Sequence, residues 1–302
     1  MEKAGAVVMR VQRRRIGIAL CGAELTGSAH IGILFALENI GIKPQMVAGT
    51  SAGALIASMY AHGYSFDEFR EAVRNFPGLW LFDYGFPLVS SAFNLVRHSW
   101  LGSTVPIPNG VFRGEKLQRY VKRLHQNRLP KIPLYVVATD LNTTNPVTFT
   151  NDDIAVKRGY AETSTDLPRE IVGSCTIPGL LTPVRHRKWT LVDGGVRHLV
   201  PVSILQQVGC DKIFAVDVMT LPQDWYPVTI ADILKRSLDV LLDEAVESSD
   251  LSGDSIFVIN PELNQTSWWS SQKTMMRSLE LGYQYVMDRK DDILRFLSTE
   301  KL

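Results

Sequence analysis

Gly49-Thr50-Ser51-Ala52-Gly53 stands between an apolar run, Met46-Val47-Ala48, and a small-residue stretch that reaches about His62. A G-x-S-x-G pentapeptide at a strand-to-helix junction makes a tight turn that pushes the serine oxygen into the open. Gly49 and Gly53 are needed because side chains there would collide with the neighbouring strand and helix. The serine then sits at a helix N-terminus, whose dipole favours a developing oxyanion. Upstream, Ile16 to Cys21 reads as a buried strand. A loop follows, and then a helix at about 28–39 with an apolar stripe of Ile31, Leu34, Phe35 and Leu37. Gly41 ends that helix and Pro44 blocks its continuation. This β-α-β-α opening predicts an α/β fold, a three-layer α/β/α arrangement around a central, mostly parallel sheet.

Further strands are expected at 134–139, 146–150, 189–192, 213–218 and 255–259. Helices are expected at 65–75, 114–126, 169–175, 201–208, 229–247 and 271–297. The 302 residues suffice for a full core, and we read 1–302 as a single domain whose part from 219 to 302 is mainly helical. Residues 76–112 show no period. Seven aromatics fall within 76–100, where the chain's 9% aromatic content would place about two. This insertion is read as a cap over an apolar site or a contact with a lipid surface, with ordinary core packing of its aromatics as the alternative.

The net charge of +1 nominates no nucleic acid partner. No apolar run approaches the roughly 20 residues of a spanning helix. Arg13-Arg14-Arg15 before Ile16 mimics an export signal, but the apolar stretch is too short and lacks a cleavage site. The cysteines, Cys21, Cys175 and Cys210, suggest a reducing compartment rather than a disulfide framework. The expected location is cytoplasmic, with peripheral contact at a membrane left open, as is the oligomeric state.

A serine nucleophile needs a base. Thr190-Leu191-Val192 reads as a strand end, and Asp193-Gly194-Gly195 follows as a turn that lets substrate approach. An ordinary Asp-Gly turn is the alternative reading of those residues. An α/β-hydrolase triad would need His198, the only histidine after Asp193, and would place several strands before the serine. His30, His62, His98, His125 and His186 show no metal-ligand spacing, so no metal is expected.

Taken in order, several segments resemble the patatin-like phospholipases. They are Gly27-Ser28-Ala29-His30-Ile31-Gly32, the serine pentapeptide with Ala54-Leu55, and Thr139-Asp140-Leu141-Asn142-Thr143. Ser174-Cys175-Thr176-Ile177-Pro178-Gly179 and Val192-Asp193-Gly194-Gly195-Val196 with Val200-Pro201-Val202 complete the series. The resemblance runs from about 16 to 218. It implies a Ser51–Asp193 dyad without histidine, hydrolysing glycerolipid or lysolipid esters through an acyl-enzyme without metal or organic cofactor. It also implies that the loop Gly22-Ala23-Glu24-Leu25-Thr26-Gly27 carries the oxyanion donors.

That loop departs from the family. Ala23 and Glu24 replace glycines, and Thr26 replaces a basic residue, while Gly22 and Gly27 keep the pattern. If these positions take positive φ, their Cβ atoms cost energy. A Glu24 carboxylate about 6 Å from the oxyanion would cost roughly 2–3 kcal/mol at an effective dielectric near 20. A lipid- or partner-binding protein with weak or no turnover is therefore the alternative function.

Overall fold

The computed structural model describes residues 14–81, 83, 110–219, 221, 226, 230–247, 251–263 and 271–299. The strands are β1 (Ile16–Leu20), β2 (Met46–Thr50), β3 (Gly110–Phe112), β4 (Leu134–Asp140), β5 (Pro146–Thr150), β6 (Glu162–Thr163), β7 (Gly179–Leu181), β8 (Val184–His186), β9 (Trp189–Asp193), β10 (Lys212–Val216) and β11 (Ile256–Ile259). The helices are α1 (Ala29–Asn39), α2 (Ala52–Ala61), α3 (Phe66–Arg74), α4 (Glu115–Leu124), α5 (Asp153–Lys157), α6 (Leu167–Ser174), α7 (Val202–Gln207), α8 (Ile230–Glu247), α9 (Gln272–Asp288) and α10 (Lys290–Ser298).

The main sheet runs β11-β10-β1-β2-β4-β5-β6. Its left half is parallel throughout, and β1, β2 and β10 are buried along their whole length. That burial explains why these strands read as continuous apolar runs rather than alternations. The right half is mixed, because β5 and β9 both pair antiparallel with β4. Helices cover the sheet, as the β-α-β-α opening requires.

The register of β4 positions the site. β2 pairs with its first half and ends with Thr50 opposite Val137. The next residue of β4, Ala138, pairs with Asp193 at the end of β9. β5 fills the other edge of β4, with Ala138 opposite Val147. So β2 and β9 lie on one edge and run toward each other, and their C-terminal ends meet.

The expected helix over 271–297 is two helices, interrupted at Arg289, whose φ is −102°. Beyond the break, Ile293 and Leu297 are fully buried in the core. α9 docks on α1 through two glycines. A Cβ on Gly32 would lie 2.0 Å from the Leu279 carbonyl oxygen, and one on Gly282 would lie 2.4 Å from that of Ala29. The Ser28 hydroxyl donates to the Met275 carbonyl at 2.8 Å across the same contact. Of the expected aromatic cap, 82 and 84–109 lie outside the described residues, while Trp80 is exposed.

Candidate active site

Ser51 follows β2 and caps α2 with φ 53° and ψ −124°, a left-sided conformation that costs a non-glycine residue about 1–3 kcal/mol. Its neighbours hold it there. The Ser51 N–H donates to the Ser174 hydroxyl at 2.8 Å, and that hydroxyl donates to the Val137 carbonyl at 2.6 Å. Gly53 presses on the end of β1, where a Cβ would lie 2.3 Å from the Leu20 carbonyl oxygen. The turn is thus wedged between β1 and β4, and its strain is maintained by packing.

Asp193 approaches from the opposite direction. Its N–H donates to the Thr176 carbonyl at 2.8 Å, and its Oδ1 accepts the Gly195 N–H at 2.8 Å. Gly194 crosses so close to β4 that a Cβ would lie 2.2 Å from the Val137 oxygen. The Ser51 side chain lies close enough to the Asp193 carboxylate to favour its ionised form. Both side chains are nearly buried, at 9% and 7% exposure. Burial raises the Asp193 carboxyl to about 6, against Ser51 and the Gly195 N–H, which hold it down. A carboxyl poised there takes up a proton near neutral pH far more readily than an exposed aspartate.

The segment Ser174-Cys175-Thr176 serves both partners. Ser174 holds Ser51, Thr176 holds Asp193, and Cys175 between them lies within electrostatic reach of both side chains. Burial, and then the Asp193 charge, push the Cys175 thiol well up. Sequence reasoning noticed the segment but gave it no role, because it acts through one hydroxyl and one backbone carbonyl. Asp140 has a comparable role further along β4. Burial raises its pKa, but N–H groups of Thr190, Asn142 and Thr143 and the Thr143 hydroxyl outweigh that and lower it. These bonds fasten β9 to the turn that follows β4.

The loop Gly22 to Gly27 packs against the start of α2, where a Cβ on Gly27 would lie 3.1 Å from the Ala52 Cβ. Neither Ala23 nor Glu24 has positive φ, and Glu24 sits at −76°. The expected backbone cost of losing glycines therefore does not arise. Gly22 spends its N–H on the Leu199 carbonyl at 3.1 Å, whereas the Ala23 N–H has no acceptor among the described residues. Thr26 and Gly27 are buried in a 3-10 turn, and Oε1 of Glu24 is buried as well.

His198 contributes its backbone rather than its ring. Its carbonyl accepts from the Thr50 hydroxyl at 2.9 Å, and its imidazole lines a separate cavity of about 190 Å³ with Thr148 and Tyr160. No hydrogen bond joins that ring to Ser51 or Asp193 among the described residues. His30 is fully buried against the Cys21 carbonyl at 3.1 Å, and burial lowers its pKa to about 4. No cluster that could hold a metal ion occurs among the described residues. No helix among them is long and apolar enough to cross a membrane.

A family model described as Patatin-like phospholipase matches residues 18–205. The chain is 32% identical over 225 residues to Lysophospholipase NTE1 of Mycosarcoma maydis, covering 72% of this chain and 10% of that protein. It is 26% identical over 208 residues to human Patatin-like phospholipase domain-containing protein 6, covering 67% of this chain and 13% of that one. It thus spans only a small part of these relatives' length. Among solved structures, human GIVD cytosolic phospholipase A2 matches at TM-score 0.47 and 13% identity, over 97% of this chain and 61% of that one.

Proposed function

The chain belongs to the patatin-like phospholipase family, and from that premise we propose that it hydrolyses carboxylic esters of lysophospholipids or related glycerolipids with Ser51 as nucleophile and Asp193 as base. The observation that carries this reading is the meeting of the ends of β2 and β9 on one edge of β4, which brings Ser51 beside a buried carboxyl raised to about 6. In the first half-reaction Asp193 takes the hydroxyl proton as Ser51 Oγ attacks the ester carbonyl. The tetrahedral oxyanion forms at the N-terminus of α2, beside the loop from Gly22 to Gly27. The N–H groups of Ala23 and of Ala52, the residue after the nucleophile, are its proposed donors. Collapse breaks the bond to the alkoxide, which leaves with the proton from Asp193, and Ser51 is left acylated. Water then attacks the acyl-serine and gives a proton to Asp193, which passes it to the Ser51 oxygen as the acyl–oxygen bond breaks and the fatty acid leaves.

A lipid- or partner-binding role with weak turnover is the second reading, motivated by Glu24 in the loop with its Oε1 buried. Location at a membrane surface is proposed with the substrate class. Incubation with lysophosphatidylcholine, with release of fatty acid measured, tests the first reading. A fluorophosphonate probe should add its mass to the peptide containing Ser51. Release unchanged in Ser51→Ala overturns the assignment, and no release with no labelling favours the binding role.

A further inference from the structure

A second concave site lies at the other end of the sheet. It is about 700 Å³, within the range of small-molecule sites, and is walled by α4, the 125–130 loop, the start of β4 and the end of β5. Leu134 and Phe149 are at its floor. Leu134 precedes Ala138, the partner of Asp193, by four residues on β4, or about 13 Å of strand. This cavity is therefore separate from the Ser51 site.

Its charge is one-sided. Arg119, Lys122 and Arg123 stand at i, i+3 and i+4 on α4, so they share one helix face. Arg128 faces in from the following loop, held by an ion pair with Glu68 and lying 4.0 Å over the Tyr64 ring. No Asp or Glu lines the cavity. Among the described residues no carboxylate pairs with Arg119, Lys122 or Arg123. His62 and His125 meet edge to face at 4.7 Å on the same wall. Burial holds both below the usual range, His125 at about 4, so they enter neutral and the uncompensated charge comes from the three cations of α4.

We propose that this cavity binds a small, multiply phosphorylated group. Unneutralised cations on one helix face repel each other until an anion joins them. Two guanidinium forks and an ammonium around a pocket suit phosphate oxygens, which accept paired N–H donors. The bounded shape, with a chain net charge of +1, suits a compact polyphosphate rather than a nucleic acid strand. The ligand chemistry is shared by a soluble phosphate ester and a phosphoinositide headgroup.

The test uses the full chain and two probes. Inositol hexakisphosphate is titrated calorimetrically into wild type and into R119Q/K122Q/R123Q. A second charge-matched variant, K273Q/R277Q/K290Q, controls for net charge on exposed positions of α9 and α10. Saturable binding is expected, weakened roughly a hundredfold by the first variant and little by the second. If the triple variant folds poorly, K122Q and R123Q alone should each weaken binding about tenfold. Hydrolysis of a short soluble ester should not change in any of them, which separates this result from the fate of the Ser51 reading. Co-sedimentation with phosphatidylcholine vesicles carrying phosphatidylinositol bisphosphate, against phosphatidylserine at equal charge, identifies the source. Selective binding to the former supports a headgroup, and binding to the soluble probe alone supports a free phosphate ester. Absence of saturable binding to either probe, equal weakening in the two triple variants, or displacement of the probe by a DNA duplex at equal charge overturns the proposal.

Discussion

Replacing Asp193 with Asn should make the protein more stable while it abolishes hydrolysis. The Asp193 carboxyl rises from an ordinary 3.8 to about 6 because it is buried. The folded state therefore binds a proton between pH 4 and 6 that the unfolded chain has already released, and stability falls as pH rises through that window. Above about pH 6 the full cost of the buried charge is present. With about 1.36 kcal/mol for each pH unit between the two pKa values, a rise from 3.8 to about 6 corresponds to about 3 kcal/mol. Asparagine keeps the shape and an oxygen for the Gly195 N–H but carries no charge. Unfolding entropy for 302 residues is about 0.6 kcal/mol/K, so Asp193→Asn should raise the melting midpoint by about 5 °C at pH 8. The gain should shrink below pH 6 and be nearly gone at pH 4. Differential scanning calorimetry of both proteins from pH 4 to 8 measures this, and taking the difference cancels the other titrating groups. A variant that is less stable at pH 8, or a difference independent of pH, would refute the argument that desolvation sets this carboxyl.

The same carboxyl should give kcat/KM an acid limb near pH 6 in wild type, read from rates on a soluble ester. Ser51→Ala and Asp193→Asn should each remove nearly all turnover, with the double variant little worse, whereas His198→Ala should stay active. Ala23→Gly should leave kcat within about twofold, because the position already has negative φ, while a larger gain for Glu24→Gln would assign the loop's effect to charge. Gly53→Ala should destabilise by about 1–3 kcal/mol or more, since its Cβ would meet the Leu20 carbonyl at 2.3 Å. Gly41→Ala, at φ 86° in open space, should cost only about 1–2 kcal/mol of backbone strain, as urea midpoints would show.

The parallel half of the sheet was legible because burial on both faces leaves apolar runs such as Ile16 to Cys21 unbroken. The turn at Ser51 was legible because it demands glycine on both sides. Asp193 was placed as a partner by family resemblance, since the meeting of β2 and β9 on one edge of β4 depends on pairing between distant segments. Short strands such as Val184–His186 and Glu162–Thr163 were missed because so few residues carry no period. The basic cavity was missed for a related reason. Arg119, Lys122 and Arg123 read as an ordinary solvated helix face until Arg128 and the strand ends close around them. The backbone cost considered for Ala23 and Glu24 required positive φ, which the loop does not adopt, while the charge cost considered for Glu24 does not depend on that conformation.

The interlock of α1 with α9 sets how far the protein can be trimmed. The family match stops at residue 205, yet the helix that seals α1 begins at Gln272. Carbonyl oxygens of each helix occupy the space that side chains would take on the other, so no water layer or substitute helix fits there easily. A fragment ending at residue 205 would retain Ser51, Asp193 and the glycine loop, but would leave the outer face of α1 bare beside that loop. Excision at the boundary of sequence similarity should therefore give an aggregating product, whereas a fragment kept to Ser298 should remain dispersed and cooperatively folded.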